Sequence, residues 1–160
     1  RPWPIVLGIL VATLVNHGLA STLGAFAASH LDGAWVRWVL GVSFFGFALW
    51  ALIPDRLDTS ETAPQRSAFA VFVATAVAFF LVEMGGKTQV ATVALAARYH
   101  ALLLVTAGTT LGMMLANVPA VLLGEAVTKR LPLHAIRIFA ALLFAAMGAW
   151  TLLAGEIGAA

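Results

Sequence analysis

Glu83 and Lys87 stand four residues apart in "LVEMGGKTQVATVALAARY", residues 81 to 99, a stretch otherwise rich in apolar and small side chains. On a regular helix this spacing puts both on one face, where they could pair. In lipid each charge costs about 2.5 to 3.5 kcal/mol on insertion scales, so it demands a partner, a wet cavity or a function. Between them lie Gly85 and Gly86, and after proline no residue favours helix less than glycine. Two together let the backbone unwind, baring carbonyls after Glu83 and amides near Lys87 and Thr88. Broken helices of this kind build ion sites at the bilayer midplane. Carboxylate, carbonyl, hydroxyl and amide oxygens are hard ligands, suited to calcium, magnesium or manganese rather than to copper or zinc. Glu83, Thr88 and Gln89 are therefore candidate metal ligands, with Gly85, Gly86 and Lys87 in support. Two plainer readings stay open: an ion pair that holds helices together, and a diglycine that admits a neighbouring helix at close range.

Other polar residues carry weaker signals. Asn16 and His17 sit within the first apolar segment, and Asn117 within the fourth. Each is suited to a hydrogen bond between helices, and His17 could also relay a proton. Gln89 and Thr92 would face away from Glu83 on a regular helix, but unwinding at the diglycine would turn them. Glu125 and Lys129, four apart at the end of the fourth segment, suit an interfacial ion pair. The five tryptophans, Trp3, Trp35, Trp38, Trp50 and Trp150, fall near segment ends, where an aromatic belt accounts for them. There is no nucleophile triad, P-loop, HExxH site or nucleic-acid motif. No catalytic residue is assigned, and the chain does not read as an enzyme.

The elements that must position these residues are set by composition. Of 160 residues, 62% are hydrophobic and 10% charged, with a mean hydropathy of +0.99. That is well beyond a soluble domain. The long unbroken apolar runs imply transmembrane helices, because a span needs about 20 such residues and must satisfy its own backbone. Barrel alternation is absent. So is cysteine, which excludes disulfides and thiolate metal sites. The fold class expected is an all-α polytopic membrane protein. Apolar segments run from about Pro4 to Ala28, Ala34 to Ile53, Ala68 to Arg98, Ala101 to Val127 and Leu133 to Leu153. The third is too long for a simple span, and a break or kink at Gly85-Gly86 is expected.

The polar stretch "PDRLDTSETAPQRS", residues 54–67, divides the chain and reads as a solvated loop. If each span crosses once, Arg1, Arg56, Arg66, Lys129, Arg130 and Arg137 fall on one side and Arg37 and Arg98 on the other. The positive-inside rule then puts the central loop in the cytoplasm and the C-terminus outside. A shift of 100 residues overlays Gly8 on Gly108, Leu23 on Leu123, Gly24 on Gly124, Leu31 on Leu131, Arg37 on Arg137, Phe44 on Phe144 and Trp50 on Trp150. Spans one and two thus match spans four and five with opposite orientation, the inverted-repeat plan of many secondary transporters. The expected division is 1–53 as a first repeat, 54–67 as the loop and 68–160 as a second repeat. Span three has no counterpart, so five of an expected six spans are present. The chain also starts without a methionine or a signal segment, as if cut.

"EMGGKTQVATVALAARY" resembles the signature of the cation/proton exchanger family that includes the Golgi transmembrane protein 165 and the bacterial manganese exporter MneA. Its members carry two copies of Glu-x-Gly-Asp-Lys-Thr/Ser, in the first and fourth of six spans. "GILVATLVNHGLASTLGA", the acidic central loop and "GTTLGMMLANVPAVLLGE" are similar to the family's second span, cytosolic loop and fifth span. The resemblance implies a membrane antiporter, in a bacterial inner membrane, that exports manganese or calcium in exchange for protons. The ions are cargo, with no permanently bound cofactor. Glu83, Gly85, Lys87 and Thr88 match the motif, and Gln89 matches the residue that commonly follows it. Gly86 stands where the family has aspartate, and the first copy is missing, so transport is expected to be defective in this form. The partners implied are divalent cations, protons and the bilayer; a second copy could fill the groove left by an absent helix. The alternatives are an exporter of another cationic solute, such as an amino acid, and a non-transporting membrane subunit.

Because the native chain has no cysteine, single cysteines report sidedness cleanly. Ser60→Cys should react with a membrane-impermeant maleimide in inside-out vesicles only, and Ala159→Cys in right-side-out vesicles only.

Overall fold

The computed structural model describes residues 2–31, 33–54, 67–124, 130 and 132–153. Among them six helices occur and no strand: α1 (Pro2–His30), α2 (Ala34–Leu52), α3 (Ala68–Glu83), α4 (Lys87–Tyr99), α5 (Leu102–Leu123) and α6 (Leu133–Leu153). Four of these, α1, α2, α5 and α6, are long and apolar enough to cross a membrane singly; α3 and α4 make a fifth span only as a pair, bent by 70°. The third apolar segment is thus two helices with the break at the diglycine. The fourth, expected to reach Val127, is helical to Leu123 and turns at Gly124, whose φ is +66°. The central loop from residue 55 to 66, and Glu125 with Lys129, lie outside the described residues.

The packing inverts a soluble protein. Large apolar side chains such as Leu7, Leu14, Leu19, Leu23 and Phe26 are exposed on α1. Its buried face is made of small and polar residues with few exceptions, among them Gly8, Ala12, Thr13, Asn16, His17, Ala20, Ser21 and Gly24. Lipid tails solvate leucine as well as another helix does, so helices associate here through close backbone approach and interhelical hydrogen bonds. α1 is the hub, packed against α3, α4 and α5. A Cβ on Gly8 would lie 2.9 Å from the Phe72 carbonyl oxygen of α3, and one on Gly24 would collide with the Val93 carbonyl oxygen of α4.

A second group pairs α2 with α6. Gly41, Ala48, Ala141 and Gly148 are buried between them, and the fully buried Phe44 stacks on Phe144 with centroids 6.4 Å apart and planes 18° apart. These two phenylalanines are 100 residues apart and were matched by the internal repeat. α4 joins the groups, touching α1, α2 and α5.

The Gly24 approach is backbone to backbone, so a methyl group there cannot be accommodated by a rotamer change. Gly24→Ala should cost about 1 to 3 kcal/mol, the usual penalty of overpacking. Gly18→Ala, which meets nothing within 4 Å, should be neutral or slightly stabilising. Unfolding in detergent micelles reads the difference.

Candidate functional site at a broken membrane helix

The site is built by the chain's failure to continue α3. Met84 N–H still bonds the Phe80 carbonyl at 3.1 Å, but the next donors turn away. Gly85 adopts φ +77°, a left-handed conformation that costs a side-chain-bearing residue about 1 to 2 kcal/mol. Its N–H is taken by Gln89 Oε1, and Gly86 N–H bonds the Glu83 carbonyl at 2.9 Å. The carbonyls of Leu81 and Val82 thereby lose the donors that a regular helix would supply four residues on. They belong to the same last turn of α3 as Glu83, at the C-terminal, negative end of the helix.

Glu83 and Lys87 therefore lie on different helices, across a bend, and not on one face of a single helix. Lys87 begins α4, and its ammonium donates to the Ile53 carbonyl at the end of α2 at 2.9 Å, lying 5.7 Å over the Trp50 ring. Gln89 folds back onto the break and also donates through Nε2 to Asn16 Oδ1 at 3.4 Å. Asn16, fully buried, donates through Nδ2 to the Phe80 carbonyl at 3.1 Å. The α1 amide thus bridges both halves of the broken span. Glu83, Gly85, Gly86, Gln89 and Asn16 form one constellation, with His17 adjacent in sequence and 1% exposed.

Thr88 and Lys87 also face a second place. They line a cavity of about 420 Å³ between α4, α5 and the α2–α6 pair, together with Trp50, Thr92, Thr109 and Arg137. Asn117 joins neither place, since its amide donates within α5 to the Met113 carbonyl at 2.8 Å. Thr92 is fully buried and bonds the Thr88 carbonyl at 2.7 Å.

Among the described residues no three His, Cys, Asp or Glu side chains gather as a metal cluster. Glu83 is the one acidic residue in that set. Oxygen donors here come mainly from backbone and amide groups. Sequence reasoning did not single out Thr13 and Ser21, which flank His17 at four-residue steps on the buried face of α1; that spacing was the available signal. The cavity face of Trp50 and the contact of Arg98 Nε with Thr151 Oγ1 at 3.2 Å had none.

Apolar helices with outward-facing leucines and a carboxylate-bearing break within a span define an integral membrane protein of the transporter class. The chain belongs to the divalent cation/proton antiporter GDT1 family, whose family model matches residues 1–59 and 71–158. It is 49% identical over 148 residues to a protein of Vibrio cholerae serotype O1 (strain ATCC 39541 / Classical Ogawa 395 / O395) named "Putative manganese exporter". The alignment covers 92% of this chain and 72% of that protein. No solved structure matches the chain.

Gly86 has an ordinary φ of −71°, and a Cβ there would stand 3.7 Å from Glu83 Oε2 and 3.1 Å from the Glu83 carbonyl oxygen. Gly86→Asp needs only a small shift and sets a second carboxylate beside the first. Thermal unfolding should show this variant stabilised by manganese at lower metal concentration than the parent, by about 2.7 kcal/mol at metal 100-fold above its Kd. Gly85→Ala should lose about 1 to 2 kcal/mol whether or not metal is present.

Proposed function

We propose that this chain exports a divalent cation, manganese or calcium, in exchange for protons, with the cation held at the α3–α4 break. The observation that carries the reading is that Glu83 ends α3 in a turn whose Leu81 and Val82 carbonyls have lost their helical donors. A carboxylate and carbonyl oxygens suit a hard cation, and membership of a divalent cation/proton antiporter family supports the same cargo. Proton and metal compete for the Glu83 carboxylate, so occupancy by one excludes the other and couples their movements. Gln89, which ties the break to Asn16, presents its carbonyl oxygen at the same turn. The 420 Å³ cavity is a poorer cation site, since Lys87 and Arg137 both line it; Thr88 would serve a cation only after turning from that wall. With glycine at position 86, one acidic group serves the site, so divalent affinity should be low and transport defective, well below that of the Gly86→Asp variant.

We further propose that residues 1–53 and 68–160 are inverted repeats, with the 54–67 loop cytoplasmic. Contact between the equivalent phenylalanines, Phe44 and Phe144, supports a pseudo-twofold axis running between α2 and α6.

In proteoliposomes, Glu83→Gln should abolish both manganese binding and pH-gradient-driven uptake, because the amide keeps the shape and removes the charge. A loss of at least about tenfold in affinity corresponds to 1.4 kcal/mol. Undiminished uptake by this variant would rule out Glu83 as the cation site. Uptake of a cationic amino acid, with none of manganese or calcium, would redirect the proposal to another cargo.

A further inference from the structure

Thr13, His17 and Ser21 follow at steps of four residues, so they stack along one face of α1 over about 12 Å. They are 1%, 1% and 0% exposed. Thr13 Oγ1, His17 Nδ1 and Ser21 Oγ are enclosed with no hydrogen-bond partner among the described residues. A helical hydroxyl in lipid has a ready acceptor in the carbonyl four residues back, and Thr22, Thr92 and Thr109 take it at 2.7 to 2.8 Å. Thr13 and Ser21 do not. On α5, Thr106 Oγ1 and Thr110 Oγ1, one turn apart, are enclosed and partnerless in the same way, and α5 packs against α1. Gly24 meets α4 at Val93 and Ala96, close to where α4 ends and α5 begins. The first turns of α5 therefore lie level with the C-terminal half of α1.

Buried polar atoms are satisfied by protein or by water, and water takes polar sites that protein leaves unfilled. We propose that these residues hold a file of water molecules along α1, and that His17 passes protons along it. The file passes the level of the break, because Asn16, next to His17 in sequence, is bonded to the Phe80 carbonyl one turn before Glu83. Hydroxyls and water each donate and accept, and imidazole does both at once. As an O–H bond of a neighbouring water in the file breaks, its proton forms an N–H bond at one ring nitrogen of His17. The other ring nitrogen gives its proton to the next oxygen of the file. The ring ends neutral in its other tautomer. On the helices packed against α1, the titratable groups are Glu83 of α3 and Lys87, Arg98 and Tyr99 of α4; described α5 has none. Glu83 is the one acid among them.

The first test uses the full chain in liposomes, ¹⁵N-labelled at histidine. His30→Gln, His134→Gln and His100→Asn leave His17 as the single ring signal; asparagine tolerates the left-handed backbone at position 100. Water-edited solid-state NMR should show polarisation passing from mobile water to the His17 ring, and Thr13→Val with Ser21→Ala should slow that transfer several-fold. A ring out of contact with water overturns the proposal. The second test rests on the exporter reading above. Exchange of labelled for unlabelled manganese moves no net protons, so His17→Gln should leave it intact while pH-gradient-driven uptake falls about tenfold or more. Equal loss of both assigns His17 a structural role and overturns the relay. Should His17→Gln fail to fold, the Thr13→Val, Ser21→Ala pair, which keeps the ring, must show the same split. A parent chain that exchanges no manganese defeats the exporter reading, and the water measurement still decides the file.

Discussion

A membrane helix that stops midway must find partners for the backbone groups it releases, because hydrocarbon offers none. The rest of this structure is arranged around that constraint. Gly85 supplies the positive φ that ends α3 within one turn, and the side chain of Gln89 takes the N–H that the turn exposes. Asn16 answers from α1, giving a donor to Phe80 and an acceptor to Gln89. Two amide side chains hold a 70° bend that would otherwise be open to lipid. The carbonyls left without helical donors belong to the turn that ends in Glu83.

The same bend explains the position of α4. Being short and turned away from α3, it reaches both packing groups, with Lys87 bonded to the end of α2 and Arg98 to Thr151 of α6. Its two cations thus serve as tethers near its two ends. α1, α3 and α5 meet the α2–α6 pair mainly through this one helix. The two groups are thus joined mainly through the element that begins at the candidate site.

Polarity in the interior follows from the solvent. With lipid on the outside, α1 turns its leucines outward and its Thr, Asn, His and Ser inward. Small residues let backbones meet at Gly8, Gly24, Gly41 and Gly148. A polar core of this kind is expensive unless its atoms are bonded, so the bonded ones, such as Asn16, and the partnerless ones, such as Ser21, have different consequences. Bonded groups fix the break in place, whereas partnerless groups make room for water.

Much of this was legible in the residues themselves. Hydropathy set the helices, and α6 has the ends expected of it; the diglycine located the break, because glycine carries its conformational freedom wherever it stands. Local signals of that sort need no neighbour. The face that Glu83 shares with Lys87 was not legible, since periodicity assumes a regular helix and the bend removes it. Nor were the partners of Asn16, Gln89 and Lys87, which come from residues 34 to 73 positions away. Which polar residue meets which carbonyl depends on the crossing of helices distant in sequence, and that crossing is decided only when small residues on several helices pack together. The sequence by itself determined an α-helical membrane chain with one charged, breakable span; only the tertiary structure decided that an amide of α1 would tie the two halves of the break together, because the crossing of distant helices sets which polar groups meet.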